Sequence, residues 1–453
     1  MTDFAAIILA AGKGTRMKSD LHKVLHPIAG KAMLMHLLDS FDALNPARTV
    51  VVVGDRREQI DGALEGRDVV TALQDPQHGT AHAALQARGA LEGFSGNILV
   101  TFGDVPMVRG ETVQQLVDAL SGGAKVAVLG FRPDDPLAYG RIIADDSGLV
   151  RKMVEFKDAS DEERAVNLCN SGLLVAHSDD MWPLLDAVDN NNAQGEYYLP
   201  DVATGAIARG DKVVVVECDA DEVAGINSRA ELAAFEGRWQ TVRREQAMAD
   251  GASLRAPDTV FFSHDTVLGR DVTIEPHVVF GPGVSVADGT HIKAYSHIEG
   301  ATLATGVQVG PFARLRPGAV MEEGSFVGNF VEMKKATLGP GAKASHLSYI
   351  GDAKVGANAN IGAGTITCNY DGYFKYQTVI GERAFIGSNS ALVAPVNIGA
   401  DSIVAAGSTV SRDVSDGELR MVRAEQLVKQ GWADRFHDTM KKKKENAKKG
   451  GAK

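Results

Sequence analysis

An aliphatic or near-aliphatic residue returns every six positions over much of the second half of this 453-residue chain. The period holds in three unbroken runs: Leu268, Ile274, Phe280, Val286, Ile292 and Ile298; Val309, Leu315, Met321, Val327 and Met333; Ile380, Ile386, Leu392, Ile398, Val404 and Val410. A period of six matches neither an α-helix nor an alternating strand. It is typical of a parallel β-helix, in which each hexad forms one short strand and one turn around a buried aliphatic column.

Glycine often follows the repeating aliphatic residue, as at Gly281 and Gly387. Such a position suits a tight corner where a side chain would clash or φ must be positive. The period slips between Ile298 and Val309, between Met333 and Ile361, and between Ile361 and Ile380. We expect loops to leave the coils at these slips. Chance periodicity in a Gly-rich β-sandwich is the alternative, which three long runs in phase disfavour.

The length of the chain predicts two or more domains, because single cores stop growing well below this size. No run of eighteen apolar residues is present, and the start of the sequence lacks the basic region of a signal peptide. Cys169, Cys218 and Cys368 are too few and too scattered for a disulfide framework or a thiolate metal site. These features predict a cytoplasmic protein with no membrane partner.

The formal net charge is -11, although residues 441–453 hold seven Lys and one Glu, so the rest of the chain carries -17. So large a negative charge outside the tail argues against nucleic acid as a partner, since a protein needs a basic surface to bind a phosphate backbone. We expect the Lys-rich end to be a flexible, solvated tail rather than an anion-binding arm.

A phosphate-binding turn is predicted near the start of the chain. Residues Phe4 to Ala10 form an apolar strand, and Ala11-Gly12-Lys13-Gly14-Thr15-Arg16-Met17 follows directly. Glycines let backbone N–H groups approach an anion, and the cations neutralise it. The turn matches neither a Walker A loop nor the dinucleotide fingerprint. Taken alone, it is equally compatible with a plain surface loop.

Strands and helices alternate over the next hundred residues, which predicts a Rossmann-like α/β domain with a mainly parallel sheet. The predicted strands are Thr49–Val53, Val69–Gln74 and Asn97–Gly103, and the predicted helices are Lys31–Leu44, Gly79–Leu91 and Glu111–Leu120. Ligands of such sheets lie beyond the carboxyl ends of the strands. Asp104 falls there and is a candidate Mg²⁺ ligand, with a role as a helix cap or turn residue as the alternative.

Together, these segments resemble the sugar-1-phosphate nucleotidyltransferases. The matching motifs are Leu9-Ala10-Ala11-Gly12-x-Gly14-Thr15-Arg16-Met17, Lys23, Gln74, Gly79-Thr80, Gly103-Asp104, Tyr139-Gly140-Arg141, Glu155-x-Lys157-Asp158, Asn170-Ser171-Gly172, Asn192-x-Gln194-Gly195-Glu196-Tyr197-Tyr198 and Gly225-x-Asn227. With the hexads behind them, the chain resembles, over essentially its whole length, the family of bifunctional N-acetylglucosamine-1-phosphate uridyltransferases and glucosamine-1-phosphate acetyltransferases. Phe102 departs from the Tyr often found in the family, so a hydroxyl contact to the sugar is lost.

For the first domain, the resemblance implies uridylyl transfer from UTP to N-acetylglucosamine-1-phosphate, with Arg16 and Lys23 holding the triphosphate as catalytic cations. Mg²⁺ would be bound by Asp104 and Asn227. Gln74 and Gly79 would hydrogen-bond uracil, and Glu155 a sugar hydroxyl. The implied UTP site comprises Leu9, Ala10, Gly12, Lys23, Gln74, Gly79, Thr80, Phe102, Gly103 and Asp104, and the implied sugar site Gly140, Glu155, Asn170 and Asn227.

For the hexad domain, the resemblance implies acetyl transfer from acetyl-CoA to glucosamine-1-phosphate. His346 is the predicted base, because histidine titrates near neutrality and the attacking amine must lose a proton. Glu332 is a weaker candidate, for orienting or polarising His346. The implied sugar-phosphate site is Arg316, Lys334, Tyr349, Asn360 and Lys375, and the implied acetyl-CoA site is Ala363, Asn369, Tyr370, Ser388, Ala406 and Arg423. A lone surface histidine is the alternative for His346.

The predicted organisation is a nucleotidyltransferase domain over residues 1–227, a connecting helix over 228–250, a left-handed β-helix over 251–440 and a flexible tail over 441–453. The resemblance implies a homotrimer formed through the β-helix. Two rival functions stay open: a uridyltransferase whose β-helix is only an assembly rod, and a non-enzymatic sugar-nucleotide-binding subunit. The residues from Arg316 to Lys375 argue against the rod, which would not need them. A binding subunit would be expected to lose Arg16, Lys23 or Asp104, and all three are retained.

Overall fold

The computed structural model of the chain describes residues 4–136 and 138–450, with side chains as far as residue 447. Two compact units are present, one extending to Gln246 and including Phe262–Asp265, the other comprising Ala247–Phe261 and the chain from Thr266 onward. None of the described helices is both long and apolar enough to cross a membrane.

The first unit is an α/β domain, as predicted. Its strands are β1 (Phe4–Leu9), β2 (Pro27–Ile28), β3 (Lys31–Ala32), β4 (Arg48–Val53), β5 (Val70–Leu73), β6 (Asn97–Phe102), β7 (Val126–Phe131), β8 (Arg141–Ala144), β9 (Val150–Val154), β10 (Cys169–His177) and β11 (Val213–Cys218). Its helices are α1 (Met33–Asp42), α2 (Arg57–Ala63), α3 (Thr80–Gln86), α4 (Gly110–Asp118), α5 (Asp161–Arg164), α6 (Ser178–Asp186), α7 (Asp201–Ala208), α8 (Ala220–Val223) and α9 (Arg229–Ala249). Short 3-10 turns cover Thr15–Met17, Lys23–Leu25, Gly89–Leu91 and Ala119–Gly122.

The main sheet has the strand order β11-β7-β10-β6-β1-β4-β5. β1 pairs in parallel with β4 and β6, whereas β10 runs antiparallel to β6 and β7, so the sheet is mixed. The strand β1 shows why both faces are covered: Ile7 packs in the core on one face and Ile8 in the core on the other. The parallel neighbours β1, β4, β5 and β6 place their carboxyl ends along one edge.

The helix α9 starts where the sequence predicts the connecting helix. Ser228 caps it, because the Glu231 backbone N–H donates to Ser228 Oγ (3.2 Å) and the Ser228 N–H donates to Glu231 Oε2 (3.0 Å). Phe235 is buried in a small core with Ile28, Met33 and Ile226, which fixes the helix to the first unit. The boundary between the units falls within α9, after Gln246.

The second unit is built from short parallel strands, in agreement with the predicted left-handed β-helix. They are β12 (Ser253–Leu254), β13 (Val267–Leu268), β14 (Thr273–Ile274), β15 (Val279–Phe280), β16 (Ser285–Val286), β17 (His291–Ile292), β18 (His297–Ile298), β19 (Ala301–Leu303), β20 (Gln308–Val309), β21 (Arg314–Leu315), β22 (Ala319–Met321), β23 (Phe326–Asn329), β24 (Glu332–Leu338), β25 (Lys343–His346), β26 (Tyr349–Val355), β27 (Asn360–Ile361), β28 (Ile366–Cys368), β29 (Thr378–Ile380), β30 (Phe385–Ile386), β31 (Ala391–Val393), β32 (Val396–Ile398), β33 (Ile403–Val404), β34 (Thr409–Val410) and β35 (Leu419–Arg420). A 3-10 turn covers Pro257–Thr259.

The register shows how the hexads form coils. Ile274 pairs with Ile292, eighteen residues later, so three hexads complete one coil. At the first slip Ile292 pairs with Val309, one residue sooner, and the coil simply shortens. Expecting a loop at every slip was therefore wrong. The slip between Ile361 and Ile380 does extrude one: Ile361 pairs with Ile386 in the next coil, and a bridge between Tyr370 and Lys375 closes the loop.

Close approach between coils explains the corner glycines. A Cβ on Gly387 would lie 2.4 Å from the backbone nitrogen of Ala406 in the next coil, so no larger residue fits without separating the backbones. Positive φ is the reason at Gly310, where φ is +90°.

The Lys-rich end differs from the expected unstructured tail. The structure forms a helix, α10 (Trp432–Gly450), whose described side chains are all exposed. A sequence free of Pro and rich in Lys favours helix, and lysines towards the end complement the helix dipole. Composition alone therefore misled the prediction. Residues 451–453 lie outside the described residues.

Candidate active sites

The first candidate site is a pair of adjoining cavities at the carboxyl ends of the parallel strands. A cavity of about 290 Å³ is lined by predicted UTP-site residues: Leu9, Ala10, Gly12, Lys23, Gln74, Gly79, Thr80, Phe102 and Asp104. A cavity of about 440 Å³ is lined by the predicted sugar-site residues Gly140, Glu155, Asn170 and Asn227. Lys23, Thr80, Phe102 and Asp104 line both, so two ligands held here would meet at these residues.

The wall around Gln74 is rigid. Gln74 is buried, and its side-chain nitrogen donates to the Gly79 carbonyl (2.9 Å). Gly79 has φ of +118°, and a Cβ there would lie 2.5 Å from the Tyr197 carbonyl oxygen. Thr80 Oγ1 accepts the backbone N–H of Leu199 (2.8 Å). The segment therefore needs glycine, and its backbone groups are held at the cavity edge.

Oxygen ligands converge where the cavities meet. The Lys23 ammonium donates to Asp104 Oδ2, and it also donates to Asn227 Oδ1 (3.1 Å). Asp104 follows β6, and Asn227 precedes α9, so chain segments 123 positions apart meet at one cation. Two oxygen groups around a positive charge suit Mg²⁺, which usually takes one or two carboxylates together with substrate phosphates.

The second cavity combines a half-buried acid, Glu155, with backbone polar groups. Burial, followed by the nearby charges of Asp201 and Asp158, raises the pKa of Glu155 above its ordinary value. Asn170 accepts the Gly172 N–H through Oδ1 (2.9 Å), and its own N–H donates to the Gly140 carbonyl (2.9 Å). The cavity thus presents hydrogen-bonding groups of the kind that hold sugar hydroxyls and amides.

Phe102 forms the partition between the cavities by packing against Gly172, where a Cβ would lie 2.1 Å from the ring. Gly103 is not among the lining residues, although its N–H donates to the Leu9 carbonyl (2.9 Å) and so positions the wall. Arg16 is exposed on the turn Thr15–Met17 and does not line either cavity. The structure thus brings together the predicted residues except Arg16 and Gly103.

Sequence reasoning missed several lining residues. Gln77 donates to the Ala11 carbonyl (2.6 Å) and supports the glycine turn. Glu196, which belongs to a matching motif but was assigned to neither site, lines both cavities. His22 lines the first cavity beside Lys23. Its position next to a predicted phosphate-binding lysine was a signal that could have been used.

The second candidate site follows one corner of the β-helix. Successive coils align Asn329 with His346, and the pairing of Ala344, Ile361, Ile386 and Val404 extends this column. Each of these four residues is followed, two positions later, by a residue at the same corner of its coil. These corner residues are His346, Ala363, Ser388 and Ala406. The predicted base thus lies at one end of a line of small residues predicted to contact acetyl-CoA. Arg423 lies beside Gly407 at the far end.

The remaining predicted acetyl-CoA residues lie on the loop side. Asn369 is buried and donates to Asp352 Oδ2 (2.5 Å). Tyr370 is exposed, and its hydroxyl donates to the Gly372 carbonyl (2.5 Å).

Cations cluster on the neighbouring face. Arg316 and Lys334 occupy equivalent positions in adjacent coils, because Arg314 pairs with Glu332. Contact with Lys375, and then the charge of Arg316, lowers the pKa of Lys334. Crowded positive charges of this kind are relieved by an anion, and a phosphate is well suited. Arg316 also donates to Glu332 Oε1 (2.8 Å), which raises the pKa of Arg316.

The expected role of Glu332 is wrong. Its carboxylate pairs with Arg316 and, at 3.9 Å, with Arg314, whereas the partner of His346 Nδ1 is Asn329 Oδ1 at 2.5 Å. Glu332 lies on a different strand position from His346, which sequence spacing could not reveal. An amide oxygen can only accept, so Asn329 Oδ1 holds a proton on His346 Nδ1 and orients the ring.

Tyr349 lies next to Glu332 in the register of β24 and β26. Asn360 pairs with Lys343 at the start of β25, three positions before His346.

Comparisons with known proteins match segments of both units. Residues 6–166 match the MobA-like NTP transferase domain, residues 265–300 the bacterial transferase hexapeptide (six repeats), and residues 377–412 the hexapeptide repeat of succinyl-transferase. A protein of Novosphingobium aromaticivorans named Bifunctional protein GlmU is 68% identical over 98% of this chain and 99% of its own. Proteins of the same name from Sphingopyxis alaskensis and Zymomonas mobilis are 65% and 56% identical, each over 97% of this chain and at least 98% of theirs.

The chain belongs to the GlmU family. Members of this family are bifunctional enzymes with a uridyltransferase domain and an acetyltransferase domain, and this chain is such an enzyme. Its two sites correspond to these two domains. The rival interpretations, a uridyltransferase with an inert rod and a non-enzymatic binding subunit, are not supported.

Proposed function

We propose that the second unit acetylates glucosamine-1-phosphate with acetyl-CoA, and that the first unit then transfers the uridylyl group of UTP to the resulting N-acetylglucosamine-1-phosphate, releasing pyrophosphate. The observation that carries this proposal is the pairing of two sites on one chain. One is a two-chambered cavity with Lys23, Asp104 and Asn227 at its junction. The other is a column of small residues ending at His346 beside a cation cluster.

In the nucleotidyltransferase site, Gln74 and Gly79 bind uracil in the smaller cavity, while the larger cavity holds the amino sugar through Gly140, Glu155 and Asn170. The sugar phosphate oxygen then attacks the α-phosphate near Lys23. Such a transfer depends on positioning and charge neutralisation more than on a protein nucleophile. Arg16, exposed on its turn in the free protein, is proposed to hold the leaving pyrophosphate.

The donor set at the junction fits Mg²⁺, because carboxylate and amide oxygens of Asp104 and Asn227 already surround a cation. These two residues would hold the ion. Charge on the phosphates would be neutralised by the ion when bound. With the ion held there, the Lys23 ammonium would contact a phosphate oxygen instead of these two side-chain oxygens.

In the acetyltransferase site, Arg316, Lys334 and Lys375 bind the sugar phosphate, and Tyr349 and Asn360 orient the sugar. His346 Nε2 accepts a proton from the amine as that amine attacks the thioester carbonyl. The C–S bond then breaks, the acetyl group remains on the amine, and coenzyme A leaves as the thiol after taking up the proton. Ala363, Ser388, Ala406, Asn369, Tyr370 and Arg423 line the path of the coenzyme. By family likeness, we also propose that the protein is a cytoplasmic homotrimer assembled through the β-helix.

Product analysis tests this proposal. Purified protein would be incubated with glucosamine-1-phosphate, UTP and Mg²⁺, with and without acetyl-CoA, and the products identified by mass spectrometry. UDP-N-acetylglucosamine should form only when acetyl-CoA is present. If it forms only when N-acetylglucosamine-1-phosphate is supplied directly, the acetyltransferase proposal is wrong; if neither mixture reacts, both proposals are wrong.

A further inference from the structure

The nucleotide cavity contains a buried histidine whose side chain is incompletely bonded. His22 lines this cavity beside Gly12 and Lys23, and only 3% of its surface is exposed. Among the residues that the structure describes, its Nε2 atom has no hydrogen-bond partner. A buried polar atom left unpaired costs free energy, so it calls for a functional explanation.

The position of His22 is fixed by the neighbouring helix. Its backbone N–H donates to Gln59 Oε1 (2.8 Å), and Gln59 Nε2 donates to the Asp20 carbonyl (2.9 Å). Arg56 donates to the Ser19 carbonyl (2.7 Å). The segment before Lys23 is therefore held at several points, which fixes the backbone of His22 at the cavity wall.

The protonation of the ring follows from its contacts. Nδ1 accepts the backbone N–H of Val24 (3.4 Å), so in the neutral ring the proton is on Nε2. Burial and then the charge of Lys23 lower the pKa of His22, and Arg56 acts in the same direction. Asp55 and the nearby Gly12 carbonyl oppose this change, although that carbonyl does not meet the geometry of a hydrogen bond to Nε2. Nε2–H is thus a buried donor beside the glycine turn.

We propose that His22 is a positioning residue for the nucleotide, whose Nε2–H donates a hydrogen bond to a phosphate oxygen of UTP. The surrounding groups favour an anionic acceptor, because Lys23 and Arg56 are cations and Gly12 of the glycine turn lines the same cavity. A bound phosphate would give the unpaired donor its partner. This inference rests on the proposed function of the cavity as the UTP site.

The test compares substitutions of His22 in the full-length protein. His22→Met keeps the volume but removes the donor, and His22→Gln keeps an N–H donor at the position of Nε2. His22→Asn keeps the acceptor for Val24 but is too short to present the donor, and it provides a second donor-free variant if His22→Met does not fold. Calorimetry with UTP and Mg²⁺, thermal unfolding and steady-state kinetics would be measured for each.

We expect His22→Met and His22→Asn to weaken UTP binding on the order of tenfold to a hundredfold, the size expected when a hydrogen bond to a charged acceptor is removed. KM for N-acetylglucosamine-1-phosphate and the acetyltransferase rate should not change. His22→Gln should recover most of the affinity. The melting temperature of ligand-free His22→Met should equal or exceed that of the unsubstituted protein, since an unpaired donor is removed.

His26 provides a matched control. It is equally buried and its Nε2 is also unpaired within the described part of the chain, but it contacts Arg229 and does not line the cavity. His26→Met should leave UTP affinity unchanged. Unchanged UTP affinity in the donor-free His22 variants, or an equal loss in His26→Met, would overturn the inference. If Lys23→Ala also leaves UTP affinity unchanged, the assignment of the cavity itself is wrong.

Discussion

The contact between His346 and Asn329 predicts a specific change in acetyl transfer when Asn329 is replaced by Ala. The 2.5 Å contact from Nδ1 to Oδ1 orients the ring, in which Nε2 is the proposed base. Hydrogen bonds of this kind contribute roughly 0.5–1.5 kcal/mol, which corresponds to about twofold to twelvefold in rate if the whole bond is needed in the transition state. We therefore expect kcat of the acetyltransferase to fall by about tenfold, with KM for acetyl-CoA unchanged.

Asn329→Asp tests the same contact by placing a negatively charged carboxylate beside the His346 ring. A carboxylate near the ring stabilises the imidazolium by about 1 kcal/mol where both groups are well solvated. Since the base must be neutral to act, the acid limb of the pH–rate profile should move up by about one pH unit. The assay is thiol release from acetyl-CoA between pH 5.5 and 9. Unchanged kcat in Asn329→Ala, together with an unmoved acid limb in Asn329→Asp, would refute the role of Asn329.

Two further predictions concern stability. Burial, then the charges of Asp189 and Asp158, raises the pKa of Asp201 to about 6. A raised folded pKa means that stability present below pH 4 is lost as pH rises through 6, so Asp201→Asn should stabilise the protein at pH 8 but not at pH 4. At pH 8 we expect the free energy of unfolding to rise by about 1 kcal/mol, because solvent screens much of the roughly 3 kcal/mol that the pKa shift implies. An equal change in the free energy of urea unfolding at pH 4 and pH 8 would contradict this. Gly387→Ala should lower the melting temperature by several degrees because its Cβ would meet backbone, whereas Gly237→Ala in α9, with nothing within 4 Å, should raise it slightly; similar melting temperatures would exclude the close-approach explanation.

The fold was largely predictable because its signals are periodic. Ile386 and Val404 recur in hexads, and each is buried in the β-helix. The apolar strand ending at Leu9 and the glycine turn after it were read from local pattern in the same way. The helix α10 was missed because a charged composition resembles that of a solvated tail.

The site residues that sequence reasoning missed depend on register between distant coils or loops. Asn329 meets His346 only because β23 and β25 pair, and the same stacking directs Glu332 to Arg316. Asp104 and Asn227 are joined through Lys23 across more than a hundred residues, and only family likeness placed them together. Local patterns predict elements, whereas contacts between elements need the structure.

The central claim, that two independent sites on one chain perform successive reactions, is tested most directly by complementation between single variants. Asp104→Ala should convert glucosamine-1-phosphate only to N-acetylglucosamine-1-phosphate, and His346→Ala should make UDP-N-acetylglucosamine only when N-acetylglucosamine-1-phosphate is supplied. Mixed in one tube with glucosamine-1-phosphate, acetyl-CoA, UTP and Mg²⁺, the two variants should form UDP-N-acetylglucosamine that neither forms alone. Loss of both activities from either folded variant, or failure of the mixture, would contradict the account.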